Sequence, residues 1–109
     1  MYRYLSIRGA SDFSAFLPVE SMQKVLLGLS ELNQTSSRKY ESAPGIPWFV
    51  VTIIGCDSAG NYPANIDQSS DTANLLEFVC SDSDADVRKL HENLASDIAE
   101  SLGWAMVDG

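Results

Sequence analysis

Few groups in this chain have the type and spacing that chemistry requires. There is a single histidine, His91, and there are two cysteines, Cys56 and Cys80. His91 directly follows Leu90 on an expected helix, with no Cys or Asp at a metal-forming spacing on the same turn. No second histidine exists to complete a His–His metal pair. With no orienting partner in the sequence, His91 reads as structural or solvated rather than as a general acid or base. Ser and Asp are present, but no nucleophile elbow is. Gly9, Gly28, Gly45, Gly55 and Gly60 are scattered singly and form no phosphate loop. Asp82, Asp84 and Asp86 alternate as calcium ligands do, yet the EF-hand glycine and the distal bidentate glutamate are missing at their spacings. At the start of a helix the same carboxylates cap amide groups and oppose the positive end of the dipole. The expectation is no catalytic residue, no metal and no cofactor.

Cys56 and Cys80 are too few for a disulfide scaffold and lack metal-ligand spacing. They read as buried thiols in a reducing cytoplasm. The opening Met1-Tyr2-Arg3-Tyr4-Leu5-Ser6-Ile7-Arg8 alternates polar and apolar residues and is expected not to be a signal peptide. The longest apolar run, Trp48 to Ile54, is interrupted by Thr52 and falls far short of the ~20 residues of a membrane span. At 109 residues and 45% hydrophobic the chain should form one α+β domain, 1–109, with its own core.

Alternation makes 2–8 a strand, with Leu5 and Ile7 on one face and Tyr2 and Tyr4 on the other. A loop to Leu17 follows, and Pro18 suits the first turn of a helix. Val19, Met22, Val25, Leu26, Leu29 and Leu32 form that helix's apolar stripe, and Asn33 can close it. Residues 34–47 read as a polar connection ending in Pro44-Gly45-Ile46-Pro47. Residues 48–54 are β-branched and apolar on both parities, which predicts a central strand. A loop from Asp57 to Thr72 leads to a third strand, 75–80. Ser83-x-x-Asp86 can open the second helix as a capping box. Val87, Leu90, Leu94, Ile98 and Leu102 would be its core stripe, Gly103 its end, and 104–107 a last strand. The order β-α-β-β-α-β predicts a two-layer ferredoxin-like domain: a four-stranded antiparallel sheet with two helices on one face.

Charge is distributed unevenly. Residues 1–55 hold four acids and five bases, while residues 56–109 hold eleven acids and two bases, which brings the chain to −8. That balance argues against nucleic acid or an anionic membrane as a direct ligand, since both demand clustered cations. In the expected topology Asp12, Asp57, Asp67, Asp71 and Glu100 share one edge, with Asn61 and Tyr62 at the tip of the 57–72 loop. This is either a solvated rim or a docking surface for a basic protein. The sheet face without helices is the second candidate surface. It must be covered by residues 34–47, by another subunit in a homodimer, or by a partner.

Pro47-Trp48 opening the central strand, Asp57-Ser58-Ala59-Gly60-Asn61-Tyr62 after it, and Leu102-Gly103-Trp104 near the end are the residues of a further likeness. In a small acidic α+β chain they resemble bacterial immunity proteins of polymorphic or contact-dependent toxin systems. The resemblance implies a non-catalytic role: stoichiometric masking of a basic toxin domain, a nuclease among the choices, by acidic and aromatic groups. The alternative class is a small-molecule-binding regulatory domain, because ferredoxin-like folds bind ligands at strand edges and dimer interfaces.

Overall fold

The computed structural model describes residues 2–10, 12–56, 71–82 and 84–108. Alternation in the first strand decides the layering. β1 (Tyr2–Arg8) buries Leu5 and Ile7 completely and leaves Tyr2 and Tyr4 exposed. Cross-strand partners inherit that division, because directly opposed residues point to the same face. β1 runs antiparallel to β7 (Leu75–Ser81), opposing Leu5 to Phe78 and Ile7 to Leu76. On its other side it runs antiparallel to β8 (Ala105–Asp108). β5 (Phe49–Ile54) pairs antiparallel with β7 and sets Val51 beside Phe78 and Ile53 beside Leu76. The face so defined is the core. α1 (Val19–Leu27) adds Met22 and Leu26 to it, and α2 (Ala85–Leu102) adds Leu94, Ala95 and Ile98. Both helices therefore lie on one side of the sheet.

The sheet has six strands, where four were expected. Its order is β3-β4-β5-β7-β1-β8, with a separate two-stranded pairing of β2 (Leu17–Pro18) with β6 (Thr72–Ala73). The added strands are β3 (Leu32–Gln34), where the sequence reads the end of the first helix, and β4 (Lys39–Ser42), inside the expected polar connection; the two form a hairpin. β4 pairs with β5 and completes its second edge, so β5 is interior as its apolar composition predicts. Asn33 belongs to this hairpin and does not close α1. The helix stops at Leu27 because Gly28 follows, and glycine inside a helix costs roughly 1 kcal/mol.

α2 departs from the expected stripe by about one residue. Its buried side chains are His91, Leu94, Ala95, Ile98 and Ala99, while Leu90 is 37% exposed. Two alanines on the sheet side let the helix approach closely, and the bulkier Leu90 turns to the flank. The N-cap is Asp84, whose Oδ1 accepts from the amide of Val87 at 2.9 Å; the capping box expected at Ser83 lies outside the described residues. Gly103 ends α2 as expected, left-handed at φ +70°. In the turn that follows β4, Ile46 N–H donates to the Ala43 carbonyl at 3.0 Å, with Pro44 and Gly45 (φ +86°) in its central positions. That is the composition of a type II turn, which only a residue tolerant of positive φ can complete.

His91 is a core residue. Its Nε2 lies 3.0 Å from the Pro47 carbonyl, and its ring meets those of Phe49 and Phe78 edge-on. Both cysteines are buried thiols. Cys80 opposes Phe49 at one end of the β5–β7 pair, and Cys56 follows Ile54 at the other.

Candidate functional site

Strand directions place the acidic residues. β1 ends at Arg8, beside Ala105 of β8, and α2 ends just before it. A Cβ at Gly9 would stand 2.5 Å from Trp104 Nε1 and 2.7 Å from Ala15 Cβ, so the 9–16 segment abuts the exit of α2. The carbonyl of Asp71 accepts from Val19 N–H at 2.8 Å, which brings the start of α1 to the same end. Asp12, Asp71 and Glu100 are thus exposed on segments at one end of the domain. Asp57, Asn61, Tyr62 and Asp67 lie outside the described residues.

Local structure occupies one of these three groups. Asp12 Oδ1 accepts from Ser14 N–H at 3.1 Å, and the hydrogen bonds from Ser14 hold its carboxyl below the usual carboxylate range. Asp12 is therefore committed to its own turn. Asp71 lines a groove with Glu20 and Arg38 at the start of α1. Glu100 sits in the last turn of α2, which contains no base. There its charge faces the negative end of the helix dipole, an unfavourable position.

A second acidic surface combines charge with apolar area. On the flank of α2, a groove of about 480 Å³ is floored by Ile46, Leu90 and Leu94 and rimmed by Glu31, Asp86 and Asp97. Lys89 and Asn93 complete its wall. Asp86, Leu90, Asn93 and Asp97 are spaced three and four apart, so they form one helical stripe. The Pro44–Gly45 turn carries Ile46 to face it. Sequence reasoning missed this site because it assigned Leu90 to the core. The available signal was the alternative stripe of Leu94, Ala95, Ile98 and Ala99, which leaves Leu90 outside.

The opposite face of the sheet carries the third surface. Tyr2 and Trp48 pack with ring centroids 5.4 Å apart, and Tyr4 follows Tyr2 along β1. These are 62%, 42% and 51% exposed for Tyr2, Trp48 and Tyr4. Neither 34–47 nor the helices cover them. The far half of this face is closed by Phe13, which packs on Ile54, Cys56 and Leu75 beneath the Arg8 guanidinium.

No protein-family model matches the chain, and no curated protein matches it.

Function has to be read from the surfaces themselves. Among the described residues no group of three or more His, Cys, Asp or Glu is placed to hold a metal. No helix among them is long and apolar enough to cross a membrane.

Proposed function

We propose that this chain is a non-catalytic binding protein for a basic protein, acting in the cytoplasm as an immunity protein does on a toxin domain. The groove on α2 is the observation that carries the reading. An apolar floor of Ile46, Leu90 and Leu94 supplies the water-excluded contact that dominates affinity. The rim of Glu31, Asp86 and Asp97 supplies charge complementary to lysine and arginine, which speeds encounter and disfavours acidic partners. Asp12, Asp71 and Glu100 extend the negative field to the end of the domain. The fold is read as a ferredoxin-like βαββαβ plan, with the β3–β4 hairpin added to one edge. Its four expected strands stand in the order β5-β7-β1-β8, which supports that reading.

The test is co-purification with the product of the neighbouring gene, which this reading expects to be a secreted protein ending in a basic toxin domain. A one-to-one complex is expected, with affinity falling as salt rises. Replacing Asp86 and Asp97 together by Lys should weaken it at least about tenfold, chiefly through slower association. No complex, or one indifferent to both substitutions and to salt, overturns the proposal.

A further inference from the structure

The aromatic half of the open sheet face differs from the rest of the molecule in charge. The described charged residues in open-face register are Arg8, Lys39, Glu41 and Glu77, two bases and two acids. Arg8 lies over Phe13 in the closed half, which leaves Lys39 against Glu41 and Glu77, a net of −1 on a chain whose total is −8. The acidic excess thus lies elsewhere, including the groove on α2. A basic partner gains little from a face of such small net charge. A second copy gains most there, because two chains of −8 repel wherever their acids face one another and least where the net charge is small.

The side chains suit an isologous contact. Tyr2, Tyr4 and Trp48 are large and amphipathic, and they form a ridge beside the flatter valine surface of Val50 and Val79. A ridge and a flat strip on one patch can pair with themselves across a two-fold axis. We propose that this half of the sheet face binds a second copy of the chain, with Tyr4 at the centre of the contact. The uncovered patch is small, built on three exposed aromatic side chains, so the dimer is a weak one whose population depends on concentration. The dimer leaves the α2 groove, on the other side of the sheet, free for a basic partner.

Sedimentation equilibrium on the full chain, from low to high micromolar and from low salt to about 0.5 M, tests the proposal. A monomer–dimer equilibrium is expected that tightens as salt screens the repulsion between the two acidic bodies. That sign is opposite to the one expected for a basic partner, so the two readings fail separately. Tyr4→Glu places like charges face to face and should raise the dissociation constant at least tenfold, whereas Tyr4→Phe should leave it within about twofold. Trp48→Ser, in the segment leading into β5, should weaken it similarly and serves if Tyr4→Glu does not fold. Monomer at every concentration overturns the proposal. So does a dimer that loosens with salt, or one that neither Tyr4→Glu nor Trp48→Ser affects.

Discussion

The side chain of Asn74 donates through Nδ2 to the carbonyl of Phe13, 3.0 Å away, across 61 positions of sequence. The same nitrogen donates to the Cys56 carbonyl at 2.9 Å, and Oδ1 accepts from the Cys56 amide at 2.8 Å. Asn74 is buried and joins β5, β7 and the 9–16 segment at one point. Phe13 sits at φ +61°, a conformation unfavourable for a side chain of its size. Three contacts hold it there: the Asn74 amide, the Arg8 guanidinium 4.8 Å above its ring, and the cluster of Ile54, Cys56 and Leu75.

Asn74→Ala should therefore destabilise the domain by about 2–4 kcal/mol, since it leaves buried carbonyl and amide groups without partners. Urea unfolding measures the loss. Faster amide exchange at Cys56 should accompany it, because that amide's acceptor is gone. A change of a few tenths of a kcal/mol would mean that water replaces the side chain at no cost.

The rotation of α2 separates two leucines that its sequence treats alike. Leu94 is 5% exposed, and Leu94→Ala should cost about 2–5 kcal/mol. Leu90→Ala should cost about 1 kcal/mol or less, since the side chain is already partly in water. Thermal unfolding of the pair distinguishes this packing from the alternative, in which the two costs would match. Leu90→Ala should still weaken a basic partner seated in the groove.

Tyr40 is fully buried on β4, and burial raises its phenol above the usual value of 10.0. The folded chain holds the neutral ring more firmly than the unfolded chain does. Its contribution to stability is present in full below the unfolded value near pH 10 and is lost as pH rises through the raised folded value. Tyr40→Phe should flatten that alkaline loss at a small cost near neutrality, because the hydroxyl's contact with Gln34 Nε2 is long at 3.4 Å. Denaturant midpoints across the alkaline range read the difference. Parallel curves for the two proteins would assign the alkaline loss to other groups.

Cys56 and Cys80 lie at opposite ends of the β5–β7 pairing, about 20 Å apart at ~3.3 Å per residue. A disulfide needs Cα atoms within roughly 7 Å, so no bond can join them within one chain. Non-reduced protein unfolded in denaturant should titrate two thiols, and native protein should react slowly because both are buried. No free thiol after unfolding would contradict the register of β5 on β7.

Much of this arrangement is written locally. Alternation in 2–8 specifies which side of β1 is core, and apolar residues on both parities of 49–54 point to a strand with neighbours on both edges. Gly103 and the Pro44–Gly45 pair mark their turns because few residues accept positive φ. Those elements suffice to bring Asp12, Asp71 and Glu100 to one end. The β3–β4 hairpin has no such signature. Its residues are largely polar, and it exists as strand because β5 offers an unpaired edge for β4 to complete. Leu90 and Leu94 likewise satisfy one helical period equally well. The burial of Ala95 and Ala99 against the core decides between the two stripes the sequence offers, and it leaves Leu90 beside Glu31 and Ile46 in the groove. Asn74 is silent in sequence, since one polar residue before a strand has no pattern. Hydrophobic period reports what a segment buries, whereas edge pairing, helix rotation and a buried amide's partners depend on segments that meet only once the chain has folded.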